Sequence, residues 1–403
     1  MNSEIELSAV ITDIAAGPFG SNLKVSCFVP VGFPIIDGAN LKGLKVTDNL
    51  TKFVTEEKAR SLSRSIARRG DIVVTISGTL GQIAYIPDDS LFEEYLCSQR
   101  QFKVTFNTSK VYVPYLVFYF HTREGQSKIL AFANQTGVPA LAQPTKNFKK
   151  IRLSLPPLEQ QRKIALIAEL LTSKIEANTK LNGYLEEWGQ GLLEKYQESC
   201  ATTIPLSNVM DFGNGYAFKS GAYIQDGLYK VLTIKNVQDG SVDCSMSNRI
   251  DELPPKMKPF CKLQPGDVVL SLTGNVGRVG IVPEENCLLN QRVAVLQPYN
   301  YALLPGLYFH FRQKAFQNKM IGIAKGTAQA NLSPVETLKL EMPYNESFFE
   351  ISQKLKPAFD LILANTIESK RLAVLRDALL PKLMSGEIDV SKIDLTQPNS
   401  HLA

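Results

Sequence analysis

Two glutamine–arginine pairs are the side chains in this chain whose types best fit a chemical task. Gln99-Arg100 in the first half of the sequence recurs as Gln291-Arg292 in the second half. Glutamine can bind adenine through two hydrogen bonds, and arginine can bind guanine in the same way. Each pair could therefore read base edges in a DNA duplex. An arginine buried against carboxylates of its own domain is an equally good interpretation of the same residues.

Small polar loops and scattered cations could supplement these pairs. Hydroxyl and amide groups in Ser77-Gly78-Thr79 and in Thr273-Gly274-Asn275 could approach a phosphate or a base edge. Lysines and arginines elsewhere could contact phosphates, although a single lysine is more often a solvated surface residue. The candidate DNA-binding residues are Lys24, Lys42, Ser77, Thr79, Gln99, Arg100, Lys146, Lys219, Lys235, Asn236, Thr273, Asn275, Arg278, Gln291, Arg292 and Lys325.

The sequence has no motif for catalysis or metal binding. Its 3 histidines have no metal-ligand spacing. Residues 213–220 place Phe218 where a phosphate-binding loop requires glycine. Residues 211–215 share glycines with the cofactor loop of S-adenosylmethionine methyltransferases but lack its spacing, so a β-turn is the better interpretation. We therefore expect no catalytic residue, no metal and no cofactor in this chain.

The segment that precedes each pair is duplicated. Residues 69–87 and 265–283 align at a constant shift of 196. A Gly-Asp turn that leads into a buried strand, followed by glycines that permit a tight turn, explains most of this pattern structurally. We assign the aspartates and glycines to turn formation and keep structural and DNA-contacting roles open for the loop hydroxyls and Asn275. The repeated positions are Gly70, Asp71, Gly78, Gly81 and Pro87, which recur as Gly266, Asp267, Gly274, Gly277 and Pro283.

Composition limits the class of protein. The chain has 403 residues, a formal charge of +5 and 44% hydrophobic residues, which allows two or three domains and is compatible with nucleic-acid binding without requiring it. Its 6 cysteines form no C-x-x-C pattern, which favours free thiols in a reducing compartment. Glu4 and Glu6 stand where a secretory signal needs basic residues, and the longest apolar run is too short for a membrane span. We expect a cytoplasmic location.

The elements that must position these residues also occur twice. Short β-rich runs separated by turn residues predict a mixed α/β domain over residues 1–157 and another over residues 200–343. Heptad-like apolar spacing predicts long helices over residues 158–199 and 344–386, with a tail at 387–403. The two apolar seams correspond at a shift of 187. They include Ile164, Leu171, Ile175, Asn178 and Leu185, and Ile351, Leu355, Ile362, Asn365 and Leu372.

Matching seams predict that the helices pack antiparallel as a coiled coil about a pseudo-two-fold axis. After residue 178 an extra three-residue step would bring Leu181 and Trp188 into the seam. Asn178 and Asn365 would form matched polar positions that penalise slipped registers, unless both face solvent at the edge of the seam. Apolar residues off the seam would be available to partner proteins, and these are Leu170, Leu193, Leu361, Ile367 and Leu380.

Over nearly its whole length the chain resembles the specificity subunits of type I restriction–modification systems. Residues 155–161, LPPLEQQ, are similar to the start of the family's first spacer helix, and residues 379–388, LLPKLMSGEI, are similar to its C-terminal ending. The start of the second helix, Tyr344-Asn345-Glu346, departs from the family pattern.

The resemblance implies two target-recognition domains held apart by antiparallel spacer helices, each domain reading one half of a split DNA sequence. It also implies binding to two methyltransferase subunits and, through them, to motor–nuclease restriction subunits. S-adenosylmethionine, ATP and magnesium would belong to those partners. The expected function is that of a non-catalytic DNA-binding subunit. The alternatives are a fused methyltransferase or nuclease with disguised motifs, and a coiled-coil scaffold that does not bind DNA.

Overall fold

A computed structural model describes residues 4–134, 139–245, 247–326 and 330–393. The chain divides into two compact units, Met1–Thr172 with Ala373–Ala403, and Ser173–Leu372. Each unit combines one β-rich segment with part of each long helix. The boundaries of the compact units therefore differ from those of the segments predicted from the sequence, because each long helix passes from one unit into the other.

The first unit contains strands β1 to β11, helices α1 to α4 and the beginning of α5. The strands are Glu4–Glu6, Ile11–Ala16, Phe28–Val29, Phe33–Ile36, Phe53–Val54, Ile66–Arg68, Ile72–Thr75, Ile83–Tyr85, Glu94–Cys97, Gln101–Phe106 and Arg152–Ser154. The helices are Glu56–Ser61, Val113–His121, Arg123–Leu130, Pro144–Lys149 and, as α5, Leu158–Ser199.

The second unit contains strands β12 to β22, helices α6 to α8 and most of α9. The strands are Thr203–Pro205, Met210–Asn214, Tyr229–Leu232, Gly240–Ser241, Asn248–Ile250, Lys262–Leu263, Val268–Ser271, Val279–Ile281, Cys287–Leu289, Val293–Pro298 and Glu341–Pro343. The helices are Leu304–Arg312, Lys314–Ile323, Pro334–Leu338 and, as α9, Ser347–Ser385.

The sheets of the two units repeat one another. In the first unit β2, β10, β7 and β8 form one sheet, and in the second unit β13, β21, β18 and β19 follow the same order and continue to β15. Another sheet in each unit contains one parallel pair, β4 with β9 or β14 with β20. A two-stranded sheet, β1 with β11 or β12 with β22, completes each set. The predicted duplication is confirmed in the topology of the strands.

The Gly-Asp turns of the duplicated segment start strands that lie inside each core. Both β7 and β18 are buried at every position, as expected for a strand covered on both faces. The Asp71 carboxylate accepts hydrogen bonds from the Arg68 amide at 2.8 Å and from the Thr105 hydroxyl at 2.6 Å. Asp267 accepts one from the Gln264 amide at 2.7 Å. Burial raises the pKa of both carboxyl groups, and their assignment to turn formation is confirmed.

Within the second unit the two long helices pair antiparallel. The Asn178 Nδ2 donates to the Asn365 carbonyl at 3.5 Å, and the Asn182 Nδ2 donates to the Ile362 carbonyl at 3.3 Å, so the chain numbers run in opposite directions. Asn365 in turn donates to the Asn182 side-chain oxygen at 2.8 Å. Asn178 and Asn365 are buried, so the prediction of matched polar positions in the seam is confirmed and the solvated alternative is wrong.

The prediction of which apolar side chains face inward was wrong at four positions of the two long helices. Leu181 and Trp188 are exposed, Trp188 by 52%, whereas Leu193 and Leu380 are fully or nearly buried. Leu193 belongs to the same core cluster as Phe309, because the β-rich segment of each unit covers a helix face that heptad spacing alone leaves open. Leu170 and Leu361 are exposed as expected. Of the other seam positions, Ile164, Leu355 and Ile362 are buried, and Leu171, Ile175, Leu185, Ile351 and Leu372 are half-buried.

Gly189 allows α5 to pack closely against the Phe309 ring in the second unit. A Cβ at Gly189 would lie 2.2 Å from the Phe309 ring, whereas a Cβ at Gly191 would meet nothing within 4 Å. We expect Gly189→Ala to lower the free energy of unfolding by about 1–3 kcal/mol through overpacking. Gly191→Ala is the matched control and should be neutral or stabilising by up to ~1 kcal/mol, since alanine favours the helix. Thermal unfolding of both variants would check this, and equal midpoints would contradict it.

The long helices are amphipathic. In the part of the chain that the structure describes, no helix combines the length and the apolar character that crossing a membrane requires.

Candidate nucleic-acid interface

A polar cleft opens at one end of the main sheet in the first unit. It has a volume of about 740 Å³ and lies where β7 ends, between the turn before β10 and the 3-10 turn after β4. The structure brings together here five residues that the sequence nominated, and they are Lys42, Ser77, Thr79, Gln99 and Arg100.

Backbone hydrogen bonds hold the cleft-lining loops in place. The Ile76 amide donates to the Arg100 carbonyl at 2.6 Å, and the Gly78 amide donates to the Pro139 carbonyl at 3.1 Å. The Leu141 amide donates back to the Ile76 carbonyl at 2.8 Å. Gly78 has φ 98°, a conformation that glycine adopts without strain. Three chain segments are therefore joined behind the side chains that face the cleft.

The floor of the cleft is made of amide side chains that the sequence analysis missed. Gln82 donates to the Gly38 carbonyl at 3.1 Å and accepts from the Thr75 hydroxyl at 3.1 Å. Gln101 is buried and accepts from the Ser98 hydroxyl. A signal for Gln82 was present, because it aligns with Arg278 in the duplicated segment and this is one of few non-conservative exchanges there.

The charge of this cleft is positive. Lys42, Lys52 and Arg100 line it together with one carboxylate, Asp37. Burial alone would raise the pKa of Asp37, but the Lys52 ammonium at 2.6 Å and the Ala39 amide lower it below its usual value. Asp37 is therefore charged and paired with Lys52 at neutral pH, and Lys42 and Arg100 leave the cleft attractive to phosphate.

A second hollow of about 710 Å³ adjoins the first across Ser77, Gln99 and Arg100. Its other walls are residues 16–20, which follow β2, and the start of α4, which carries Lys146. Lys24 lines neither hollow, although its neighbours in sequence line the first. Lys24 and Lys146 are both exposed.

The second unit repeats this arrangement. A hollow of about 590 Å³ is lined by Thr273, Gln291 and Arg292, the counterparts of Ser77, Gln99 and Arg100.

The loops behind the hollow of the second unit are joined by the same backbone hydrogen bonds as the loops of the first unit. The Leu272 amide donates to the Arg292 carbonyl at 3.0 Å, the Gly274 amide to the Ala330 carbonyl at 3.3 Å, and the Leu332 amide to the Leu272 carbonyl at 2.7 Å. Two sets of loops about 190 residues apart in sequence thus share the same three backbone hydrogen bonds.

The predicted DNA-binding role of Asn236 does not agree with the structure. Its side chain is buried, accepts from the Thr233 amide at 2.8 Å and donates to the Asp243 carbonyl at 2.8 Å. Asn40 makes the equivalent contacts in the first unit, accepting from the Asp37 amide and donating to the Thr47 carbonyl. The Asn236 amide therefore closes its own loop and is not available to a base.

The remaining candidates of the second unit lie outside its hollow. The Arg278 guanidinium is half-buried and donates to the Gln238 side-chain oxygen at 3.1 Å. Four exposed side chains do not line the hollow, and they are Lys219, Lys235, Asn275 and Lys325. Among the described residues, no group of three or more histidine, cysteine or acidic side chains is placed to hold a metal ion.

Comparison with known proteins identifies relatives along most of the chain. The profile described as type I restriction modification DNA specificity domain matches residues 32–187 and again 201–375. The type I restriction enzyme MjaVIII specificity subunit of Methanocaldococcus jannaschii is 24% identical over 306 residues, which cover 69% of this chain and 71% of that protein. The EcoBI specificity subunit of Escherichia coli is 20% identical over 362 residues, 79% of this chain and 73% of that protein.

A solved structure has the same fold. The S subunit of a type I restriction–modification system from M. genitalium superposes with a TM-score of 0.56 at 18% sequence identity. The superposition covers 95% of this chain and 96% of the other.

Proposed function

Since the chain belongs to the family of type I restriction–modification DNA specificity subunits, we propose that its two β-rich segments read the two halves of a split DNA sequence. Residues 1–157 form the first target-recognition domain and residues 200–343 the second. The chain is the DNA-recognition subunit of such a system and not its catalyst.

The observation that carries this proposal is the repeated polar hollow with a glutamine–arginine pair at its edge. Gln99 and Arg100 in the first unit, and Gln291 and Arg292 in the second, stand on turns fixed by the same backbone hydrogen bonds. Such pairs recognise adenine and guanine edges directly. Lys42 and Lys146 contact phosphates and fix the register of the first domain on the duplex.

The long helices set the distance between the two half-sites. A helix of 42 residues is about 60 Å long at ~1.5 Å per residue, which is nearly two turns of duplex at ~34–36 Å per turn. The buried amides of Asn178 and Asn365 hold the antiparallel register. Asn178 donates to the Asn365 carbonyl and Asn365 donates to the Asn182 side chain, and any slipped register leaves an amide without a partner.

Catalysis belongs to partner subunits. Two methyltransferase subunits bind the helical region and supply S-adenosylmethionine, and motor–nuclease subunits that use ATP and magnesium join through them. Methylation of a base within the duplex then requires the methyltransferase to flip that base out of the stack. An assembly of this kind acts on chromosomal and incoming DNA in the cytoplasm.

A row of exposed side chains on α5 is where we place a methyltransferase contact. Leu181, Tyr184 and Trp188 are each at least 40% exposed, and their spacing of three and four residues puts them on one helix face. Buried tryptophan and tyrosine dominate many protein interfaces, where truncation costs about 2 kcal/mol or more.

We therefore expect Trp188→Ala to weaken binding of the methyltransferase subunit by at least about tenfold. The control is Tyr299→Ala, which removes an aromatic side chain that is more exposed than Trp188 but does not lie on the helices. Titration of both variants with the methyltransferase subunit would measure the difference. Wild-type affinity for Trp188→Ala would contradict this placement of the contact.

The proposed function is tested by sequencing the methylated bases of cells with and without this chain. A split motif that is methylated only when the chain is present is the expected result. In the same cells, deletion of residues 1–157 should abolish methylation of that motif. Methyl transfer or DNA cleavage by the purified chain alone would instead favour an enzyme with disguised motifs.

A further inference from the structure

The loop after β2 presents an aromatic side chain to solvent. Phe19 is 84% exposed, as much as any large apolar side chain in the part of the chain that the structure describes. Val25, further along the same connection, is also largely exposed. Single exposed apolar side chains are common on protein surfaces, so the surroundings of this ring decide what it can bind.

The loop that carries Phe19 is held against the turn of the glutamine–arginine pair. The Gly17 amide donates to the Gln101 carbonyl at 2.8 Å, and the Asn22 amide donates to the Phe19 carbonyl at 2.8 Å. A Cβ at Gly17 would lie 1.9 Å from the Ser98 carbonyl oxygen. Glycine is therefore required at residue 17. This close contact holds the loop that contains Phe19 beside the turn that carries Gln99 and Arg100.

The surroundings of Phe19 match the chemistry of duplex DNA. The hollow that it lines also contains Gln99, Arg100 and Lys146, and none of the described residues that line it carries a carboxylate. An apolar ring that shares a hollow with two cations suits an occupant with a charged backbone and a stacked interior. Apolar side chains that enter a duplex from such a surface separate two stacked base pairs and kink the DNA.

The second unit has no equivalent of this ring. Gly215 takes the place of Gly17, since a Cβ there would lie 2.1 Å from the Asn290 carbonyl oxygen. The next residues are Tyr216, Ala217 and Phe218, so alanine stands at the position of Phe19. Tyr216 and Phe218 are half-buried and pack edge to face with ring centres 5.1 Å apart.

We propose that Phe19 is a wedge residue, which inserts between neighbouring base pairs of the first half-site and unstacks them. The proposal rests on the function proposed above, in which residues 1–157 bind one half of a split target. It adds a distortion of the DNA at one half-site only, so that the deformability of the step next to Phe19 contributes to specificity.

The test uses the full chain assembled with its methyltransferase subunits, without S-adenosylmethionine, on the duplex that methylation mapping defines. 2-Aminopurine is placed at one position at a time through both half-sites, and its fluorescence reports unstacking. The wild type should raise the fluorescence at one step of the first half-site. Phe19→Ala should abolish that rise and weaken binding by about 10-fold, while Phe19→Leu, which keeps an apolar wedge, should retain most of both.

Val31→Ala is the matched control, because Val31 is equally exposed but lines neither hollow, and it should behave as the wild type. Fluorescence at the base that is methylated belongs to flipping by the partner and should persist in every variant. If the wild type binds its target and Phe19→Ala gives the same fluorescence and affinity, the wedge is wrong and the proposed function stands. If the wild-type complex selects no split sequence at all, the proposed function is wrong and the wedge falls with it.

Discussion

Replacing Arg100 with alanine is expected to weaken binding of the assembled complex to its target by about 10- to 100-fold, since a bidentate arginine–guanine pair contributes about 1–3 kcal/mol of discrimination. The loss of base preference should be confined to one half-site. Arg100 stands at the edge of both hollows of the first unit, so the variant should accept other bases at one position of the first half-site and leave the second half-site unchanged. Arg292→Ala should do the reverse, because Arg292 lines the equivalent hollow of the second unit.

Selection from a pool of randomised duplexes measures this directly. Lys146→Ala serves as a comparison, since loss of a phosphate contact should weaken binding to all sequences alike and reduce the salt dependence by about one charge. Arg64→Ala is the control, because it removes the same charge from an exposed residue that lines neither hollow. An Arg100→Ala variant that keeps the wild-type base preference at every position would show that Arg100 contacts phosphate or its own domain instead.

Lengthening both helices by one heptad is expected to change the target completely. The two insertions belong after Thr172 and after Leu372, where α5 and α9 pass from one compact unit to the other, so that the contacts inside each unit are kept. Seven residues add about 10 Å at ~1.5 Å per residue, which corresponds to about three base pairs at ~3.4 Å each. The lengthened chain should methylate the same two half-sites with a longer unread gap and should leave the original target unmethylated.

The control for this prediction is an insertion into one helix alone. It lengthens only one of the two helices where they pass between the compact units, so the apolar seams cannot stay aligned on both sides of the insertion, stability should fall and no new target should appear. Mapping of methylated bases separates the outcomes. A change in the half-sites themselves, with the gap preserved, would mean that the helices do not determine the spacing.

The seam residues show how far spacing along the chain could be trusted. Asn178 and Asn365 were expected to be matched polar residues within the seam, and both are buried there, because the same spacing places them on the inner face of each helix. Trp188 and Leu193 were assigned to the wrong faces. Leu193 is buried in a cluster with Phe309, which lies more than 100 residues further along the chain, and no local spacing contains that information.

The candidate interface divides in the same way. Gln99, Arg100 and Ser77 were recognisable because each has a counterpart about 190 residues later. Asn236 was nominated for its chemistry alone, and its amide is occupied by backbone groups of its own loop. The sequence indicated Gln82 only because the second copy of the repeat has arginine, Arg278, at the same position. Phe19 carried no signal, since a phenylalanine beside glycines looks the same in sequence whether it is buried or exposed.

By itself the amino-acid sequence determined the duplication, the strand-rich character of each half, the two long helices and the turns that carry the glutamine–arginine pairs. All of these follow from intervals of a few residues and from comparison of one half with the other, which are local properties of the chain. The tertiary structure alone decided which helix faces are covered, which polar groups remain open and where an aromatic ring stays in solvent. Those properties depend on what distant segments place against each side chain, and burial and hydrogen bonding are determined only when that contact forms.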